Sequence, residues 1–169
     1  MLVLSRRVLK VLLVLNWVFV AFFAALLLVL LLPAGGDRAI AALARTYPLD
    51  QAALLVRSAI WLMVIGIAAG IAVHILFRRM LAIVATAIDG DPFTLVNARR
   101  VRVVGWALLA IQVLDLLFGM LSAIVVARTG EALGWSPSVG GWISVLMVFV
   151  LARVFEQGSR MRDELAMTV

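Results

Sequence analysis

The chain has 169 residues, is 66% hydrophobic and carries a formal charge of +6, with a mean hydropathy of +1.18. Soluble domains run about 45–50% apolar with glycine counted, so the surplus apolar surface here must face lipid. A soluble enzyme, a free DNA-binding protein and a disordered chain are excluded. Without cysteine and with a single histidine, the chain also has no disulfide, no thiolate metal centre and no site built from several imidazoles.

The first apolar run covers residues 11–32 and is broken only by Asn16. It is long enough to cross a bilayer, which takes about 20 residues. Ser5, Arg6, Arg7 and Lys10 precede it and faintly resemble a twin-arginine export signal. A cleaved signal has an apolar core of about 7–15 residues, so a retained span is expected. Residues 37–45 then read as a short amphipathic helix lying on the membrane surface, ending before Tyr47-Pro48.

The second span is expected at residues 58–77, with Asp50 as an N-cap and Arg78-Arg79 closing it. Leu81, Val84 and Ile88 keep helical spacing beyond those arginines, and Gly90 is a natural stop. Asp91-Pro92 reads as the start of the next helix, since aspartate caps free amides and proline fits a first turn. The third span is expected at 103–127 and the fourth at 137–153, with Ser136 as its cap and Pro137 as its first helical residue. Extensions at 78–102 and 154–169 outlast the membrane. On the last of them Glu156, Arg160 and Glu164 fall at i, i+4 and i+8 and can pair, opposite an apolar face of Val154, Gly158, Met161 and Leu165.

Charge sets the direction. Arg6, Arg7, Lys10, Arg78, Arg79, Arg99, Arg100, Arg102, Arg153, Arg160 and Arg162 fall on one side; Arg38, Arg45, Arg57 and Arg128 fall on the other. The positive-inside rule makes the first side cytoplasmic, with both termini inside. Trp61, Trp135 and Trp142 belong near the outer interface and Trp106 near the inner one, whereas Trp17 lies deeper than a belt explains. The expected fold is a single all-α domain, a four-transmembrane-helix bundle with helices extended into the cytoplasm.

Several residues invite a chemical reading. Gln112, Asp115, Gly119 and Ser122 share one face of the third span, and a carboxylate at that depth is costly. That face suits a proton, ion or ligand site, or hydrogen-bonded glue between helices; no arginine or second acid at similar depth favours the glue. His74 is expected to pack rather than hold haem, since no second histidine exists. Gly66 and Gly70 form a GxxxG, expected to serve packing within the chain before a homodimer. Arg99, Arg100 and Arg102, with Arg160 and Arg162, form a basic platform suited to anionic lipid or an acidic protein partner rather than nucleic acid. With no Walker loop, nucleophile elbow or HExxH, neither enzyme activity nor a cofactor is expected.

Gly90-Asp91-Pro92-Phe93, then Asn97, Arg99-Arg100-Val101-Arg102 and Gly105-Trp106 together resemble the signature of the "domain of unknown function 2975" family, small bacterial four-span membrane proteins. The tail agrees through Val154-Phe155, Gly158, Met161 and Glu164 to Thr168-Val169, departing from the family pattern at Ala166 and Met167. The resemblance implies a bacterial inner-membrane location and no established activity. Members are often encoded beside a small helix-turn-helix regulator, which implies a shared signalling task. The expected function is therefore a regulatory membrane subunit that binds or controls a cytoplasmic partner. The alternative is a small transporter, channel component or hydrophobic-ligand sensor using the Asp115 face.

Overall fold

The computed structural model of the protein describes residues 2–88, 90, 94–130 and 134–166, and side chains between 4 and 162. Five helices follow one another: α1 Leu2–Leu31, α2 Pro33–Leu43, α3 Leu49–Ile88, α4 Leu95–Thr129 and α5 Val139–Ala166. Among the described residues there is no strand. α1, α3, α4 and α5 are each long and apolar enough to cross a membrane. At about 1.5 Å per residue, all four exceed the roughly 30 Å of a hydrocarbon core. The chain is an all-α, multi-pass membrane protein. Its surface agrees: only 6% of the most apolar stretch of α1 is buried, and Val14, Val18, Phe19 and Phe22 are more than half exposed.

The helix ends follow from local backbone chemistry. α1 begins well before the apolar run because Ser5, Arg6 and Arg7 offer no helix breaker. It ends at Pro33, which forces Leu32 into an extended conformation (φ −68°, ψ 132°) and then opens α2 from its first position. The surface helix therefore starts four residues earlier than expected, and none of its residues is buried. Asp50 is not the cap of α3: it lies inside the first turn, where its charge still meets the positive end of the helix dipole. α3 stops before Gly90 and α4 before Gly130, whose φ values of 89° and 75° are conformations that side-chain-bearing residues avoid.

The described starts of α4 and α5 carry hydroxyl caps. Asp91, Pro92 and Phe93 lie outside the described residues. The described start of α4 is capped by Thr94, whose hydroxyl accepts the Asn97 N–H at 3.1 Å. α5 is capped by Ser138 rather than Ser136: the Ser138 hydroxyl accepts the Gly141 N–H at 3.1 Å, leaving Pro137 outside the helix. A hydroxyl three residues ahead of a free amide satisfies one of the four donors every helix start exposes.

The chain divides into two compact units. The first combines Met1–Trp17, Ala72–Gln112 and Ser138–Val169; the second combines Val18–Ile71 and Val113–Pro137. The first buries Leu9, Ala98, Val101, Val104, Ala107, Val145 and Ala152; the second buries Ala52, Val56, Met63 and Val125. Alanine and valine make up most of both sets, and the alanines permit the close helix approach that lipid favours.

Candidate functional site

The polar residues of the first unit converge where α3, α4 and α5 carry the basic motif. Asn97 is fully buried, on the first turn of α4. Its side-chain amide donates to the Thr86 hydroxyl of α3 at 2.7 Å, and its side-chain carbonyl accepts from Arg100 at 2.9 Å. Arg100 donates again to the Ala82 carbonyl at 3.0 Å. Thr86 in turn bonds back to the Ile83 and Ala82 carbonyls at 2.9 and 3.3 Å. The result is a closed ring: α3 carbonyl, Thr86, Asn97, Arg100, α3 carbonyl. Every member is bonded, the condition under which a buried polar network rigidifies rather than weakens a fold.

This changes the role of Arg100. The sequence placed it on an exposed basic surface; the structure spends it on a clamp between α3 and α4. Asn97, named in the sequence as part of the motif, reaches the Thr86 hydroxyl on the neighbouring helix with its side chain.

Arg102 is spent as well. It pairs with Glu156 of α5 at 2.8 Å, and the same carboxylate takes Arg160 at 3.0 Å and Arg153 at 3.4 Å. The i, i+4 spacing announced the Arg160 pair, but the link to Arg102 needs the fold. The side chain of Glu164 lies outside the described residues. Partial desolvation of the Glu156 carboxyl disfavours its charge, but Arg102, the hydrogen bond from Arg160 and the charges of Arg153 and Arg160 outweigh it and hold its pKa below the ordinary value. A lowered folded pKa means the contribution is complete above the unfolded pKa and is lost as pH falls through the folded one. The Glu156→Gln variant should therefore unfold at lower temperature than the wild type in detergent at neutral pH. That gap should close in acid below the usual glutamate range and shrink in high salt, as exposed pairs do.

One step further along α4, Gly105 lies against Phe149 of α5. A methyl there would meet the ring at 3.1 Å, and Trp106 packs edge-on to the same ring with centroids 5.4 Å apart. The described motif residues Asn97, Arg100, Arg102, Gly105 and Trp106 thus join α4 to α3 or α5. Arg99 remains exposed, beside exposed Leu95 and Val96 on the same turns. Arg160 and Arg162 are exposed too. Val154 and Met161, at 52% and 59% exposure, are not covered by the described residues.

The polar face of α4 splits between the units. In the first, Gln112 is buried and donates to the Ser138 carbonyl at 3.4 Å, beside Gly141, where a side chain would collide with it. In the second, Asp115 is half-buried and accepts from the Trp135 indole at 3.2 Å. Gly119 leaves room for that indole, and Ser122 is buried. Trp135, expected near the outer interface, is a hydrogen-bonding partner of Asp115. Gly66 of the GxxxG faces the Phe23 ring of α1 at ordinary contact distance, and Gly70 is buried. His74 packs edge-on to Trp17 with centroids 5.1 Å apart, which accounts for the tryptophan that no belt explained.

No curated protein and no solved structure matches the chain. A family model described as "Protein of unknown function (DUF2975)" matches residues 38–169, a stretch that includes the clamp, the Glu156 cluster and the Asp115 face. The chain belongs to that family.

Proposed function

We propose that the protein is a non-enzymatic regulatory subunit of the bacterial inner membrane, with both termini in the cytoplasm, that holds or controls a soluble partner there. The partner class is a helix-turn-helix transcription regulator. The observation that carries the reading is the first two turns of α4. Arg100 and Asn97 anchor them to α3, while Leu95, Val96 and Arg99 stay exposed on that fixed base. An apolar pair beside a cation is costly to leave in water and suits a partner that offers an apolar patch edged by carboxylates. Exposed Val154 and Met161 on α5 extend the same kind of surface. Asp115 and Gln112 are engaged by Trp135 and Ser138, which supports the regulatory reading over transport through that face.

The test separates surface from scaffold. A co-expressed helix-turn-helix regulator is added to inverted and right-side-out membrane vesicles carrying the protein. Binding is expected to inverted vesicles alone, and to weaken with salt. Arg99→Glu should lower it by about tenfold or more, the scale of placing like charges opposite each other, while leaving the helices folded. Binding to right-side-out vesicles, or unchanged affinity in Arg99→Glu, would overturn the reading.

A further inference from the structure

The sequence places two basic clusters far apart in the chain, on α1 and α3, and neither belongs to the clamp. Within the first unit they meet. Arg6, Lys10 and Trp17 of α1, with Arg78 and His74 of α3, line one groove of about 560 Å³, within the ~300–1,000 Å³ usual for ligand pockets. Trp17 meets His74, and the lining extends to Arg6 on α1 and to Ala85 on α3. Each helix contributes about three turns, or roughly 16 Å of length.

The chemistry of the walls is lopsided. Among the described residues, three cations line the groove and no carboxylate does. Arg6, Lys10 and Arg78 are all exposed. The remaining wall is apolar, and on α1 its Val14 and Trp17 are 66% and 52% exposed, continuous with the uncovered apolar face of that helix. The Nδ1 atom of His74 is buried with no hydrogen-bond partner among the described residues. A buried ring nitrogen left this way is costly and uncommon. Concentrated positive charge and exposed apolar side chains on one helical membrane wall call for a ligand that is anionic at one end and apolar at the other.

We propose that this groove between α1 and α3 is a binding site for an anionic phospholipid, with its phosphate held by Arg6, Lys10 and Arg78 and its acyl chain along Val14 and Trp17. A free phosphate ion would meet the cations but leave the apolar wall bare. A zwitterionic lipid would bring its own cation into a site that already has three. Basic pockets between transmembrane helices are known to take acidic headgroups by this chemistry. The site is independent of the regulatory surface on α4, and each can fail without the other.

Trp17 supplies the readout. Full-length protein in detergent is titrated with phosphatidylglycerol or phosphatidylcholine brominated on the acyl chains. The quenching due to Trp17 is taken as the difference from the Trp17→Phe variant. Phosphatidylglycerol should quench at a several-fold lower mole fraction, and millimolar inorganic phosphate should not reverse it. Each of Arg6→Gln, Lys10→Gln and Arg78→Gln should weaken that preference by about fivefold, the factor set by one basic residue near an anionic surface. Arg38→Gln with Arg45→Gln should leave it unchanged. Should a glutamine variant lose helical content, the exchange Arg6→Lys, Lys10→Arg and Arg78→Lys gives the answer by retaining the preference. Equal quenching by the two lipids in the wild type, a preference that survives loss of all three charges, or reversal by inorganic phosphate would each overturn the assignment.

Discussion

Replacing Asn97 with leucine should destabilise the protein by about 2–4 kcal/mol, among the largest effects expected of any single change in the chain. The residue is fully buried, and leucine shares its branched outline but is bulkier, so part of the loss is overpacking. The rest comes from the two groups left behind. Arg100 would keep one of its two hydrogen bonds, to Ala82, while its half-buried charge lost the Asn97 carbonyl. Thr86 would keep its back-bonds to α3 but lose the donor that ties it to α4. Removing one partner of a satisfied network costs more than removing all of them, because orphaned polar groups pay the full loss of water. The triple variant Thr86→Val, Asn97→Leu, Arg100→Leu should therefore unfold at a higher temperature than Asn97→Leu alone, measured by thermal unfolding in detergent. Arg100→Glu should resemble Asn97→Leu in damage, whereas Arg99→Glu should not affect stability. If Asn97→Leu melts with the wild type, the ring is decoration and the fixed base under Leu95, Val96 and Arg99 is lost as an argument.

That contrast between Arg99 and Arg100 marks the boundary of what could be read without the fold. Apolar runs against a fixed bilayer thickness are a one-dimensional signal, so four spans, the overrun of α3 to Ile88 and the stop at Gly90 were legible. So was the Glu156–Arg160 pair, because i, i+4 neighbours are fixed by the helix itself. The ring was not. Thr86 and Asn97 are 11 residues apart on different helices, and their meeting depends on the register that the connection between α3 and α4 imposes. Two adjacent arginines look alike in sequence, yet neighbouring positions on a helix point about 100° apart, so one enters the clamp and the other faces out. The cap of α5 failed for a different reason. Ser136-Pro137 matched the favoured pattern; Ser138 won because its hydroxyl lies three residues ahead of a free amide. Asp115 stands out in the sequence as a carboxylate within a span, but its partner, Trp135, lies in the connector after α4, where no periodicity points.

That partnership gives the second large effect, and it comes with a reversal of sign. Gly119→Ala should destabilise the protein by about 1–3 kcal/mol, although alanine is the better helix former by about 1 kcal/mol. A methyl at position 119 would lie 2.5 Å from the Trp135 ring. The indole is rigid, and it is held by its hydrogen bond to Asp115, so it must swing away and give up that bond. Removing the ring removes the conflict: in a Trp135→Ala background, Gly119→Ala should become neutral or stabilising, by up to about 1 kcal/mol. The same logic sorts the carboxylate. Asp115→Asn keeps an oxygen that can accept from the indole and should melt near the wild type. Asp115→Leu should cost about 1 kcal/mol, in the range of hydrogen bonds between transmembrane segments. In a Trp135→Phe background, which has no N–H to satisfy, that cost should vanish, a double-mutant cycle that isolates the bond. Should Asp115→Leu cost the same with and without the indole N–H, the carboxylate would be bonded to something other than Trp135. Should Asp115→Asn keep full stability yet abolish partner control in cells, the carboxylate would be carrying a charge-dependent task in addition to its bond. Gly119 would then be needed to seat the tryptophan that positions it.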